Sequence, residues 1–394
     1  MEKSSSQSSN TFLPQEIIWD ILLRLPVRSL CRFRCVSTLW RSIISDPQFV
    51  SSHFARSSAH PKLLFTVNEC VPGSDGYIIR MVIEGLPIIR LVKGKFFFSA
   101  DYPQDPEDLV QVSSSHGRIS TTGFTISQSV GGLVCIDTDE GIQICNPSTG
   151  ECITFPTLPD RASDCFLGYD PIEKKHKLLR SSYLEPLTEI DVLTLGEKEW
   201  KRINLDLGFI VDLGESVCID GVMHIYALSV DHESYFLLFD VRSENFRAIP
   251  FPEEYEYDAR RYLMEFGGRA ALVDYHAVAV EGLGGEIRLW ILKDAQNQVW
   301  SCKTVTPSLH LGDTLSYKPL CVGVTHEGEL IFAPPLYMGP FHCYLYHVEN
   351  ATFRKVEIRG LYERIIGLRC LYDDKVAVSY HVESLQSLRD IRFD

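Results

Sequence analysis

Gly282-Leu283-Gly284-Gly285 is a glycine-rich run whose backbone N–H groups could cradle a phosphate. That chemistry needs a helix opening behind the glycines, and here strand patterns flank both sides, so the run reads as a hairpin loop. The carboxylates of Glu253-Glu254-Tyr255-Glu256-Tyr257-Asp258 could hide a paired general acid and base, but a solvated loop is the simpler reading. Cys31 and Cys35 lie four apart on a helix, yet no histidine or second cysteine pair accompanies them to hold a metal. The 12 cysteines show no C-x-x-C spacing and the 12 histidines no ligand spacing; His224 and His276 fall in strand patterns, as core or edge residues do. H-E-x-x-H, the G-x-x-x-x-G-K-[ST] phosphate loop and the G-x-S-x-G elbow are missing. The expectation is a protein that is not an enzyme, with no catalytic, cofactor-binding or metal-binding residues and no cofactor.

What the sequence does concentrate is apolar surface, between Leu13 and Phe54. Leu13-Pro14 is followed by Ile17, Ile18, Ile21, Leu22 and Leu25, a spacing of three and four that paints a broad stripe on one helix. Pro14 suits a first turn, and Leu25-Pro26 breaks the run, because a residue before proline avoids the helical region. A second helix is expected from Val27 to about Arg34 and a third behind Ser37 as N-cap; a fourth opens at Asp46-Pro47. Helices this short are marginal alone, so their apolar residues must dock on something. Either the rest of this chain or a permanent partner would serve.

The run Leu13-Pro14-Gln15-Glu16-Ile17-Ile18, then Ile21 through Leu30, then Arg32-Phe33-Arg34-Cys35-Val36-Ser37, Trp40 and Asp46-Pro47-Gln48-Phe49, closely resembles the F-box. The resemblance implies a partner: the Skp-type linker of a cullin-RING ubiquitin ligase, and through it the cullin and RING subunits. Carried over position by position, it implies linker contacts at Leu13, Pro14, Ile17, Ile21, Leu25, Pro26, Leu30, Val36 and Trp40, some of which will hold the helices to one another instead.

With 394 residues, 45% of them hydrophobic and 11% aromatic, the chain has the composition of a globular protein with room for one small module and one large one. A net charge of −14 argues against general affinity for nucleic acid or an anionic membrane. The helical segment departs from that balance: Arg24, Arg28, Arg32, Arg34 and Arg41 outnumber Glu16, Asp20 and Asp46. The polar, Ser-rich start over 1–10 is expected to be a disordered tail and has neither signal-peptide nor transit-peptide character. No apolar run approaches a membrane span, and the expected location is cytoplasmic and/or nuclear.

Beyond about His60 the helical patterns give way to strands that recur every fifty residues or so. Five copies combine a strand, a polar turn and a return strand. They centre on Asn146-Pro147-Ser148-Thr149-Gly150, Leu195-Gly196-Glu197-Lys198-Glu199, Asp240-Val241-Arg242-Ser243-Glu244, Lys293 to Val299 and His347 to Ala351. The marker positions Cys152, Trp200, Phe246, Trp300 and Phe353 step by 48, 46, 54 and 53 residues. Each copy reads as a β-hairpin whose marker packs between sheets, and an apolar strand pair precedes each, which makes four-stranded blades. On this reading Trp200→Ala and Trp300→Ala each cost about 3 to 5 kcal/mol. Strands near 62–67 and 76–83 could close the ring on 375–380, whereas Met81 to Val112 fits the repeat poorly.

These units, with Leu167-Gly168-Tyr169-Asp170-Pro171, Gly328-Glu329-Leu330-Ile331 and the closing Val382-Glu383-Ser384-Leu385, resemble the F-box-associated, kelch-like domain of plant F-box proteins. The expected fold is a small all-α F-box over 11–57, then a large all-β domain over 62–388, a propeller of six or seven blades. The implied function is a substrate-recognition subunit of an SCF ubiquitin ligase: the F-box docks on the linker and the propeller binds a target protein. A lectin-like or enzymatic propeller, or a linker complex without ligase activity, are the alternatives. Glu254, Tyr255, Tyr257 and Arg260 are the first expected target-contact loop, and Leu336 and Tyr337 belong to the second.

Overall fold

A computed structural model describes residues 13–72, 79–83, 86–100, 110–120, 127–138, 141–156, 164–181, 187–205, 207, 210–255, 261–274, 287–305, 320–325, 327–333, 342–359, 377–389 and 391. Four helices come first: α1 (Gln15–Leu23), α2 (Val27–Phe33), α3 (Thr38–Ser45) and α4 (Pro47–Ala59). Capping chemistry sets their starts. Pro14 and Pro26 occupy the N-caps of α1 and α2, one step ahead of the first turn, where no helical carbonyl is waiting for an N–H. Ser37 Oγ accepts the Trp40 N–H at 3.1 Å, and Asp46 Oδ1 accepts those of Gln48 and Phe49 at 2.7 and 3.3 Å. The helices share a core of Leu22, Val27, Leu30, Ile43, Ile44 and Phe49, and its seventh member, Leu385, arrives from the far end of the chain.

The strands then build six blades. β1 (Lys62–Pro72), β2 (Ile79–Ile83), β3 (Leu86–Ala100) and β4 (Val110–Ser120) lead. Blade one holds β5 (Val134–Thr138), β6 (Gly141–Asn146) and β7 (Glu151–Pro156). Blade two holds β8 (Cys165–Asp170), β9 (Lys175–Ser181), β10 (Glu189–Thr194) and β11 (Lys201–Asn204). Blade three holds β12 (Ile210–Ile219), β13 (Val222–Ser229), β14 (Ser234–Asp240) and β15 (Asn245–Pro250). Blade four holds β16 (Arg261–Glu265), β17 (Ala270–Asp274), β18 (Ile287–Asp294) and β19 (Val299–Val305). Blade five holds β20 (Leu320–Val324), β21 (Glu329–Ala333), β22 (His342–His347) and β23 (Thr352–Arg359). Last in the chain, β24 (Ala377–His381) pairs antiparallel with β1, so blade six runs β24-β1-β3-β4.

That pairing runs from Lys62↔His381 to Thr66↔Ala377, and it closes the ring with residues 62–67, as the sequence suggests. Ile79–Ile83 does not join it. β2 pairs with β3, from Ile79↔Arg90 to Ile83↔Leu86, because a hairpin with two intervening residues closes a far shorter loop than a return to residue 375. The stretch that fits no repeat thus becomes β2, β3 and the start of β4. A parallel contact, Ile358↔Val110, continues blade five into blade six as one nine-stranded sheet.

All five expected hairpins form, as β6–β7, β10–β11, β14–β15, β18–β19 and β22–β23. Each of their turns contains one left-handed residue: Gly150, Gly196, Glu244, Gln298 and Ala351. In three of them a side chain opens the turn by binding the next backbone N–H groups: Asn146 for Ser148, Asp240 for Ser243, Asp294 for Gln296. Polar turn composition and hairpin geometry are therefore one feature seen twice.

Apolar cores lie between neighbouring blades, as where Phe166 and Leu179 of blade two meet Met223 and Phe239 of blade three. Trp300 reaches from blade four onto Phe236 and Phe251 of blade three, at centroid distances of 5.3 and 4.5 Å. It is only half-buried, as is Trp200, which lies under the Arg180 guanidinium at 4.3 Å. The expected cost of 3 to 5 kcal/mol belongs to fully covered aromatics, so both tryptophans should cost less, about 2 kcal/mol.

One glycine marks a close approach that holds the ring shut. A Cβ at Gly323 on β20 would lie 2.4 Å from the Val378 carbonyl oxygen on β24. Backbone cannot retreat as a side-chain end can, so Gly323→Ala should destabilise the β-domain by about 1 to 3 kcal/mol. A lowered urea midpoint would show it; an unchanged one would mean that blades five and six separate freely at this seam.

Candidate partner-docking surface

Among the described residues, eight large hydrophobic side chains stand strongly exposed, and five of them are in the helical segment. Leu13 is 57% exposed, Ile17 48%, Ile21 46%, Val36 64% and Leu39 46%. Ile17 and Ile21 are four apart on α1 and share a face, with Leu13 one step ahead of the Pro14 cap. The other side of α1 carries Ile18 and Leu22 into the helical core. A monomer gains nothing by keeping such a stripe in water, so the stripe reads as a contact surface.

The geometry sorts the residues that the F-box resemblance brought forward. Leu13, Pro14, Ile17, Ile21, Pro26 and Val36 are exposed; Leu25 and Trp40 are half-buried against the core, with Trp40 edge-on to Phe33 at 5.0 Å. Leu30 has no exposed surface and holds the helices together. Nothing in the sequence singles out Leu39, which reads as one more apolar helix position; only the rotation of α3 turns it outward. Arg24, Arg28, Arg32 and Arg41 ring this segment, and of its acids Asp46 is engaged as a cap.

The helices sit at the end of the propeller where the short turns lie. Lys174, in the β8–β9 turn, donates to Ser51 Oγ on α4 at 2.6 Å, and Phe54 meets Tyr169 edge-on at 6.0 Å. Down the central axis, side chains bridge blades that are not neighbours: Gln128 Nε2, ahead of blade one, donates to Leu263 O of blade four at 2.6 Å, and Tyr262 OH of blade four to Val378 O of blade six at 3.3 Å. Among the described residues, a cavity of about 50 Å³ lies there beside Cys218, Glu265 and Ser379. That volume admits a few waters, while small-molecule sites need several hundred Å³.

Residues 11–52 match the F-box domain family, and residues 88–382 match the family of the F-box associated beta propeller domain, which is more than half of the chain. The chain belongs to the F-box proteins with an associated propeller. An F-box protein of Arabidopsis thaliana, At5g65850, is 33% identical over 366 residues, spanning 89% of this chain and 85% of its own. The putative F-box protein At1g47790 of the same plant is 33% identical across 97% of this chain and 95% of its own. Among solved structures, TolB from Acinetobacter baumannii aligns over 88% of this chain and 73% of that chain with a TM-score of 0.45 and 11% identity. Residues 383–391 of this F-box protein fall outside both family matches.

Of the expected target-contact residues, Glu254 is exposed in a turn. Tyr255 instead fills the groove between blades three and four, 9% exposed, with its ring 4.6 Å from Phe251 and 5.9 Å from Trp290. Its acidic neighbours in sequence suggest a wet loop, but its ring continues an aromatic row that only folding assembles. Burial also pushes its phenol above the ordinary range. Tyr257, Arg260, Leu336 and Tyr337 lie outside the described residues. The strand ends that bound them, Arg261, Ala333 and His342, are at the end of the blades opposite the F-box, because strands alternate in direction from the β8–β9 turn onward.

The other residues that could do chemistry disperse in the F-box protein. Cys31 is half-buried in the helical core while Cys35 is exposed, and burial raises the Cys31 thiol. Among the described residues no three His, Cys, Asp or Glu side chains gather as metal ligands. His276 and Gly282–Gly285 lie outside the described residues. His224 is buried edge-on to Phe236, and His176 is buried beneath Tyr169 with Nε2 3.0 Å from the Val130 carbonyl oxygen.

Burial lowers both histidines from 6.5 to about 4, so the fold holds them neutral. Between those values the unfolded chain binds protons that the folded chain refuses, and stability must fall as pH falls. Each ring should contribute a slope of about 1.4 kcal/mol per pH unit there. Urea midpoints measured from about pH 7 to about pH 5 should decline, and His224→Gln should flatten the decline. A flat profile in the unaltered protein would mean that the rings ionise within the fold.

Proposed function

We propose that this protein is a substrate-recognition subunit of a Skp-cullin-F-box ubiquitin ligase. The observation that carries the reading is the exposure of the apolar side chains of Leu13, Ile17, Ile21 and Val36, displayed by a segment of the F-box family. Leu13, Pro14, Ile17, Ile21, Pro26 and Val36 meet the Skp-type linker directly; Leu25 and Trp40 contribute their open edges, and Leu30 supports them from beneath. The kelch-like blades are a platform for a target protein, which binds through connections at the end facing away from the F-box. The linker, cullin and RING subunits supply the ubiquitin-loading machinery. This chain adds proximity and orientation and performs no bond chemistry itself.

Reconstitution with the linker, cullin and RING subunits tests the reading. The linker should co-purify with the full chain, and ubiquitin should transfer to a protein held by the propeller. Failure of the linker to bind overturns the assignment. Stable assembly without transfer would favour a linker complex that is not a ligase.

A further inference from the structure

Residues 382–389 leave the closing strand and connect two cores. His381 is buried with a hydroxyl on each ring nitrogen, Ser129 Oγ at 2.9 Å from Nδ1 and Ser148 Oγ at 2.8 Å from Nε2. Fully buried Asn146, in the first hairpin turn, donates from Nδ2 to the carbonyls of Ser384 and Gln386 at 3.0 and 2.9 Å. Glu151 Oε2 accepts the Leu388 N–H at 2.9 Å, and its Oε1 lies 2.9 Å from Arg389 Nε. Two leucines three apart then part company. Leu388 enters the core between blades one and two, and Leu385 enters the helical core with Leu22, Leu30, Ile44 and Phe49. Neither keeps more than 2% of its surface in water. Glu383, nearly buried beside them, has its carboxylate 3.5 Å from Lys62 Nζ, where the chain passes from α4 into β1.

We infer that residues 383–389 are a strut that makes the F-box and the propeller one rigid body, and that Leu385 is a positioning residue for ubiquitin transfer. The inference rests on the ligase reading above for its second half only. Apart from the covalent crossing at His60-Pro61, the exposed Lys174–Ser51 hydrogen bond and the single Phe54–Tyr169 edge contact are too slight to stop the helices swinging. A second crossing, remote in sequence and pinned in both cores, removes that freedom. Rigidity matters because the platform acts by holding its target at a set distance from the linker, and a loose joint lowers the effective concentration of target at the transfer site. Leu385 touches neither partner; it acts through the helical core.

The test uses the full chain with dyes on Gln48 of the F-box and Asn297 of blade four, both exposed. The unaltered protein should give a single narrow distance distribution. Leu385→Ala, which withdraws the side chain from the helical core without burying a charge there, and separately Asn146→Ala, should lose that narrow peak and keep linker binding. In the reconstituted ligase, self-ubiquitination at exposed propeller lysines such as Lys198 and Lys293 should change in pattern, spreading over more sites in both variants. If Leu385→Ala does not fold, Asn146→Ala decides, since it leaves the helical core untouched and removes the strut's hydrogen bonds to blade one together with the turn bonds to Ser148 and Thr149. A narrow distribution kept by the folded variants overturns the strut. Loss of linker binding with the distance unchanged overturns the positioning role, leaving Leu385 an ordinary core residue. If the unaltered protein binds no linker, the ligase reading fails, and the distance measurement still decides the strut.

Discussion

Ile17→Asp combined with Ile21→Asp should weaken linker binding about a thousandfold while the unfolding midpoint of the propeller stays where it was. Both side chains are on the outer face of α1 with nearly half their surface in water. Covering the exposed part of each gains about 1 kcal/mol from apolar area. Aspartate forfeits that gain and places an unpaired carboxylate in a dry contact, a cost of several kcal/mol for the two positions taken together. About 4 kcal/mol in total corresponds to the thousandfold loss. Leu30→Asp is the instructive contrast: it should also lose the linker, but through collapse of a core in which Leu30 is fully covered. Calorimetric titration with the linker, set beside helical circular dichroism, separates the two routes. Undiminished binding by the Ile17/Ile21 variant would show that α1 is not the docking face.

That contrast also marks where the sequence stops being legible. Leu13, Ile17, Ile21 and Leu30 are alike in type and all sit in one motif, and periodicity cannot say which of two apolar faces a partner covers. Local chemistry was readable where it is self-contained. Ser37 and Asp46 cap helices because the acceptor and the N–H groups lie within three residues of each other. The five hairpins were readable for the same reason, since turn, register and return strand are neighbours. The contribution of Leu385 was not. A single leucine in a polar closing segment carries no periodicity, and its partners on α1, α2 and α3 lie over 300 positions away. The closing pair of β1 and β24 sits between these cases: its apolar residues announced two strands, but pairing them required the assumption of a ring that had to shut.

The marker tryptophans give the last instance and a measurable order. Phe236 has no exposed surface and stacks among Phe251, Trp300 and His224 at centroid distances of 4.8, 5.3 and 5.9 Å. Phe236→Ala should therefore cost about 3 to 5 kcal/mol, the range for a covered aromatic that leaves a cavity among rings unable to collapse into it. Trp300 is the larger residue and the one that the repeat singles out. It nevertheless sits at the rim, with Nε1 donating to the Pro250 carbonyl at 3.1 Å. Its removal gives up part of its apolar area and a hydrogen bond worth about 1 kcal/mol, and water can enter the space it leaves. Trp300→Ala should thus cost less than Phe236→Ala, with both read from urea unfolding followed by circular dichroism. Equal costs would mean that the blade rim is sealed as tightly as its interior, and that the fifty-residue markers are core positions after all. The expected order instead makes them lids, which bind neighbouring blades at the edge while the smaller, unmarked phenylalanine carries the larger share of the seam.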